Sequence, residues 1–414
     1  MRALALVCML LVTAAVAIRA QHSSHDAAYA TAVKLLEKCV AERYEADHSR
    51  YQLIDTHVDT PQVMRVLSRH PHDQIESLSK GYPGHFDLPR ARKGGLGGVF
   101  FTVWTPCTEQ LGIDLGPDFL NSDNTLSLAL TAADATAAFE EGKIATFLGM
   151  EGSHMLGNSL ATMRMYAKLG VKYLTLTHVC HSAFASSAGG GAGTDGSALG
   201  PVHPNNGLTP FGAVLIRELN RLGEVMHDVL DVTTAPVLFS HSGARGIYNH
   251  NRNVPDSVLD RIGSGPGQNP GVIHSVLFDV FIDPANATIA RVVDHVEYIA
   301  DRCGKAHVGL GSDFDGMPST VEGVEDVSSW PSIIAEFVRR GWTENEIAGL
   351  LSGNLLRVMR ETENIAHLSK ATLPAQEVYD KRSDLPGLNW GGPQGAYLPP
   401  KVRVAVHPPT HDEL

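Results

Sequence analysis

The sequence predicts an α/β fold, a TIM-like (β/α)8 barrel whose eighth strand is missing near residue 223. Three observations predict it. Short runs rich in β-branched and aromatic residues alternate with amphipathic stretches, the order that builds a parallel sheet or a closed barrel. Residues able to act as acids, bases or ligands collect at the C-terminal ends of those runs, where barrels of this kind carry their sites. The composition, 43% apolar and 19% charged over 414 residues, suits one large globular domain or two ordinary ones.

The first run, YQLIDTHVDTP, predicts a strand over 51–58. Alternation would place Leu53, Asp55, His57 and Asp59 on one face and Ile54, Thr56 and Val58 on the other. Ionisable groups gathered on one face of so apolar a strand need water, a partner or a metal, because an unpaired buried charge costs several kcal/mol. Six further runs read as strands: GGVFFTVW at 97–104, IATFLGM at 144–150, VKYLTLTH at 171–178, PVLFSHS at 236–242, GVIHSVLFDV at 271–280 and AHVGLGSDF at 306–314. Between them 122–141, 159–169, 209–222, 285–302 and 332–340 read as helices. That order brings His57, Asp59, Glu151, His178, His241 and Asp313 to one end of the barrel.

Seven strands fall short of the eight that a closed barrel needs. The shortfall has an address. PFGAVLIRELNRLG reads as one helix stopped by Gly223, and EVMHDVLD at 224–231 reads as a second helix with no strand between them.

Both ends of the chain suggest the secretory route. MRALALVCMLLVTAAVAIRAQ resembles a signal peptide cleaved near Ala17 or Ala20, with an uncleaved membrane anchor as the alternative. The last residues, His411-Asp412-Glu413-Leu414, spell an endoplasmic-reticulum retrieval signal, so a retrieval receptor is an expected partner and the ER lumen the expected location, with a secreted or membrane-associated protein as the other outcome. Asn286-Ala287-Thr288 is a glycosylation sequon. Cys39, Cys107, Cys180 and Cys303 remain after processing, and in an oxidising lumen they admit up to two disulfides. The formal charge of −12 excludes the basic face that nucleic-acid binding requires. The expected organisation is a signal peptide over 1–20, a lead helix over 21–49, a barrel over 50–365 and an extension over 366–414.

Residue chemistry points to metal. His57-Val58-Asp59 can present an imidazole nitrogen and a carboxylate oxygen to one cation, a mixture that zinc accepts. Glu151 ends another strand and could bridge two cations, and His241 ends a third. Asp55, one step deeper, reads as support for the ligands rather than a ligand. Plainer readings stand beside these: His178 as a core histidine, Arg252 as a surface arginine, and Asp315 as a rival of Asp313. His154, His181, His203 and His227 read as loop or surface residues, and GGGAGTDG at 189–196 as a flexible loop without phosphate-loop context.

The stretches IDTHVDTP, DLPRARKGGLGGVFFTVWTPC, GMEGSH, GVKYLTLTHVC, APVLFSHS, NRNVPD and VGLGSDFDG occur in the order of the renal-type membrane dipeptidases, the M19 metallopeptidases within the metal-dependent amidohydrolase barrels, and the chain resembles that family over roughly 50–360. The resemblance implies zinc-dependent hydrolysis of dipeptides by a metal-held hydroxide, with two zinc ions and a possible homodimer. It assigns His57 and Asp59 to the first zinc, Glu151 to both and His241 to the second. It gives His178 the substrate carbonyl, Arg252 the dipeptide carboxylate, Asp313 the proton that reaches the leaving amine, and Cys107 and Cys180 a disulfide.

The family's second zinc needs one more histidine, on a strand reading like I-D-L-S-H-V-S after a helix like NRLG. Here Gly223 runs straight into EVMHDVLD, so the missing ligand and the missing strand coincide and about ten residues, a strand and its turn, are absent. The segment was lost from the coding sequence at a misplaced exon boundary, or the chain is a true variant with a weak or lost second metal, or His227 substitutes. Two rival functions follow: a catalytically impaired dipeptidase relative that binds peptides or a partner, and another barrel amidohydrolase acting on a small amide, although those usually open with H-x-H.

Overall fold

The computed structural model describes residues 26–36, 53–67, 78–105, 125–187, 207–223, 225–226 and 229–378. The N-terminal leader, Cys39, Cys107, the Gly-rich stretch, His203, His227 and the HDEL terminus lie outside the described residues. Among the described residues no helix is long and apolar enough to cross a membrane.

Among the described residues nine strands are formed, all paired in parallel: β1 (Leu53–Val58), β2 (Leu96–Val103), β3 (Leu126–Leu128), β4 (Ile144–Glu151), β5 (Val171–Thr175), β6 (Val225–Met226), β7 (Leu238–Ser242), β8 (Val272–Ser275) and β9 (Val308–Leu310). One sheet runs β1-β2-β4-β5-β6, with β3 also on β4, and the other runs β7-β8-β9. Their outer strands meet where the chain beyond β9 crosses the end of β1: Asp313 N–H donates to His57 O (3.0 Å) and Asp59 N–H to Phe314 O (2.8 Å). Between β6 and β7 no ladder forms among the described residues, and this is the open seam of the ring.

Two expectations are corrected. The stretch 122–141 is not one helix: residues 126–128 pair with β4, and the helix Ala132–Glu140 starts only at Thr131, whose hydroxyl accepts from Asp134 N–H. An N-cap and an available strand edge override the helical period there. The expected helix over 224–231 is replaced at Val225 and Met226 by a two-residue strand. Gly223 adopts a left-handed conformation (φ 80°) that closes helix Pro210–Leu222 and turns the chain onto the free edge of β5, where Val225 and Met226 pair with Tyr173 and Leu174. The slot of the missing strand thus holds a two-residue strand.

The strands enclose a floor of apolar side chains. Ile54, Phe100, Phe147 and Tyr173 of the first sheet meet Leu238 and Val272 of the second and Leu355, Leu356, Val358 and Met359 of helix Asn354–Leu368. Phe100 stacks on Phe147 with centroids 4.4 Å apart. Because that helix buries residues as far as Thr362 and runs unbroken through 365, the expected barrel boundary at 365 falls inside an element.

Glu218 ties three segments together. It accepts from Arg164 Nε (2.6 Å), from Arg221 (2.7 and 2.8 Å) and from Ala375 N–H (3.2 Å). Burial pushes its carboxyl up, but the bonds from Arg221, Arg164 and Ala375 outweigh burial and hold it at about 2. A carboxyl depressed on folding adds stability above its unfolded pKa and loses it as pH falls toward the folded one. Glu218→Gln is therefore expected to cost about 2 kcal/mol near neutral pH. Urea melts of both chains at decreasing pH should show that difference shrinking below pH ~4.

Candidate metal centre

The barrel's C-terminal end gathers His57 at the end of β1, Asp59 just after it, Glu151 at the end of β4, His241 in β7 and Asp313 past β9. All five are buried. His57 Nε2 lies 3.4 Å from Asp59 Oδ2, 3.6 Å from Glu151 Oε2 and 3.9 Å from Asp313 Oδ1, and Glu151 Oε1 lies 3.4 Å from His241 Nε2. The rings of His57 and His241 are 3.7 Å apart between centroids.

Local structure explains the aim of these groups. Alternation along β1 is interrupted by a register shift between Asp55 and Val58. Asp55, just before the shift, accepts from Ser312 N–H (2.9 Å), Ser312 Oγ–H (2.6 Å) and His57 N–H (3.2 Å). Burial pushes the Asp55 carboxyl up to about 6 against the pull of Ser312. It supports β1 and joins neither group of candidate ligands. On β4, Gly149 leaves the space that the Tyr173 ring fills. Gly152 takes φ 107° directly after Glu151, a turn that L side chains rarely adopt. Asp313 and Asp315 also sit at positive φ, 69° and 67°. Asp313 faces the cluster, whereas Asp315 is held by Thr60 Oγ (2.5 Å) and His85 N–H (2.5 Å), which decides between them.

The proton inventory shows that the cluster fits a cation. His57 Nδ1 reaches Tyr173 Oη (2.8 Å), a hydroxyl that donates to Thr56 O (3.1 Å), and His57 Nε2 faces the carboxylates of Asp59 and Glu151. His57 Nε2 and Asp59 Oδ1 are both buried without a hydrogen-bond partner. Carboxylates this close to one ring nitrogen call for positive charge: burial opposes a charged His57, but Tyr173, Glu151 and Asp59 outweigh it and raise the ring's affinity for a proton well above its usual value, and a bound cation would meet the same demand. Burial pushes the Asp313 carboxyl well above the usual range, with Asp59 and Glu151 adding to it. Burial also opposes the Glu151 charge, but His178, His57 and His241 outweigh it and hold Glu151 well below its usual value.

His57, Asp59 and Glu151 form one group of possible ligands, and His57, His241 and Asp313 another. Both use His57, whose one free nitrogen serves one ion. His241 Nε2 accepts from Arg252 Nη2 (2.6 Å), whose guanidinium lies 5.1 Å from the Phe281 centroid. The described residues therefore offer a complete three-ligand set for one ion and an incomplete set for a second.

His178 stands just after β5, 3.9 Å from Glu151 and about a fifth exposed at its side chain (21%). His154 and His181 lie off the strands as expected, but both are partly buried, and His154 Nε2 reaches Thr105 O (2.9 Å). Cys180 is buried, and its expected partner, Cys107, lies outside the described residues. Sequence reasoning missed Tyr173, Ser240 and Trp104, which touch His57, His241 and His178. Only the small residue at 149, opposite an aromatic on the next strand, signals the first of them.

The membrane dipeptidase family, peptidase family M19, matches residues 41–373. The chain belongs to this family. This M19 chain is 37% identical over 355 residues to dipeptidase tcpJ of Claviceps purpurea, covering 78% of this chain and 80% of that one. An uncharacterized dipeptidase of Schizosaccharomyces pombe is 36% identical over 384 residues, covering 82% and 88%. The fold matches the probable dipeptidase PvdM of Pseudomonas aeruginosa (TM-score 0.66, 20% identity, 82% of this chain and 100% of that one). It also matches a Rhodobacter sphaeroides metallo peptidase liganded with a phosphinate mimic of L-Ala-D-Ala (TM-score 0.61, 23% identity, 75% and 99%). The M19 chain is a metallodipeptidase.

Two substitutions test the centre by metal content. Asp59→Asn should lower metal affinity at least ~100-fold, and Tyr173→Phe, which removes the hydroxyl that meets His57 Nδ1, Thr56 O and Thr102 Oγ1, by about 10- to 100-fold. Titration against a competing chelator measures both.

Proposed function

We propose that this metallodipeptidase uses zinc, held by His57, Asp59 and Glu151, to hydrolyse the peptide bond of dipeptides. The buried, unpartnered His57 Nε2 between Asp59 and Glu151 carries this reading. A bound zinc supplies Lewis acidity toward the substrate carbonyl and lowers the pKa of water. The chain's own residues do the rest. His178, at the rim, donates to the carbonyl oxygen as charge develops there. Asp313, whose affinity for a proton burial raises, takes a proton from the attacking water and returns it to the leaving amine. Arg252, braced on Phe281, offers a planar fork to the dipeptide's carboxylate. A longer peptide would leave such buried charged partners unsatisfied, which restricts substrate length.

The two-residue β6 and the shared use of His57 favour a second reading, a chain with one firm metal position and reduced turnover. Elemental analysis after gel filtration, paired with ninhydrin detection of released amino acids, separates the two. Two zincs with rapid turnover support the full enzyme, and one zinc with slow turnover supports the second reading. A folded chain with neither metal nor hydrolysis overturns both. His178→Ala should keep its metal and lose about 100-fold in kcat.

By the chain termini, the proposed location is the secretory pathway and ER lumen, with HDEL read by a retrieval receptor, Cys107 paired with Cys180, and a glycan on Asn286, an exposed residue. Sensitivity of the cellular protein to endoglycosidase H would support retention, and full resistance would count against it.

A further inference from the structure

Three histidines share this buried centre, and what touches each Nδ1 sorts them. The Nδ1 atoms of His57 and His241 face hydroxyls, Tyr173 Oη at 2.8 Å and Ser240 Oγ at 3.0 Å. A hydroxyl can accept as well as donate, so both contacts allow a proton on Nδ1 with the Nε2 lone pair turned inward. For His241 the bond from Arg252, which has no acceptor, requires the same tautomer. His178 is the opposite case. Its Nδ1 faces the indole Nε1–H of Trp104 at 2.7 Å, with the rings edge to face and centroids 5.3 Å apart.

Indole nitrogen only donates, so His178 Nδ1 must accept and carries no proton. A neutral imidazole has one N–H, and here it is Nε2–H, directed toward Glu151 3.9 Å away. Resting on the proposed function, we infer that Trp104 is a positioning residue that fixes the role of His178: it holds the ring as an Nε2–H donor for the substrate's oxygen and keeps it from becoming a metal ligand. The other tautomer would aim a lone pair at the developing negative charge and offer the metal a further nitrogen. Trp104 thus separates the histidine that handles substrate from His241, whose Nε2 accepts, and from His57, whose Nε2 lies between carboxylates.

The test uses Trp104→Phe in the full chain, which keeps an aromatic ring and removes the N–H. If that variant does not fold, a tryptophan analogue with sulfur in place of the indole N–H serves instead. Nitrogen-15 spectra of histidine-labelled protein, recorded above the histidine titration range, report the tautomer of His178. The native chain should show a bare Nδ1 and a protonated Nε2, and the variant a mixture or the reverse. Its kcat should fall about tenfold or more with KM within about twofold, the mark of an interaction made in the transition state. An unchanged tautomer, or a changed tautomer with unchanged kcat, overturns the inference. A native chain that hydrolyses no dipeptide, yet shows the tautomer shift on losing the indole N–H, would sink the proposed function and leave the sorting of the histidines intact.

Discussion

Three carboxylates and an imidazole meet in one buried cluster, and such a group is stable only around positive charge, a proton or a cation. That constraint organises the upper half of the molecule. β1, β4, β7 and the turn after β9 each deliver one or two of the groups, and none of these elements is near another in sequence. Each donor then has its own support: Tyr173 behind His57, Ser240 behind His241 and the β1 crossing behind Asp313. These supports set which atom of each side chain faces inward, and the chemistry depends on that orientation.

The crossing of β1 by residues 312–314 is where long-range order is made. Ser312 offers both its amide and its hydroxyl to Asp55, so a buried carboxylate that could have been a rival ligand becomes a brace. The same crossing forces Asp313 and Asp315 into left-handed conformations. Such strain persists only where surrounding bonds over-determine the backbone. Two aspartates two residues apart thereby take separate jobs, one in the centre and one tied to Thr60 and His85.

Much of this was legible in the sequence. Parallel strands alternating with helices, and the gathering of His57, Asp59, Glu151, His241 and Asp313, follow from periodicity and from polar residues at strand ends. What was not legible depends on tertiary context. Alternation placed Asp55 one step deeper than His57 as a support, but that Ser312 is the residue it braces against is visible only in the fold. EVMHDVLD carries a helical pattern, yet the free edge of β5 claims Val225 and Met226. The short β3 hides inside a stretch of helix formers because its pairing partner, β4, lies further along the chain. The groups behind the ligands left almost no trace, since a buried tyrosine or tryptophan looks the same in sequence whether it fills space or orients a histidine.

The open seam shifts the mechanical load of the barrel. A complete ring holds itself in shape by its own hoop of hydrogen bonds, as a barrel's staves are held by a hoop. Here, among the described residues, the hoop has no ladder beside a two-residue stave, and the two arcs are kept together by their crossing at β1 and by helix Asn354–Leu368 packed against both. That helix acts as a keystone. The spacing of groups at the top of the barrel is therefore set in part by apolar contacts at its base, which makes the catalytic end answerable to a segment that touches no substrate and no metal.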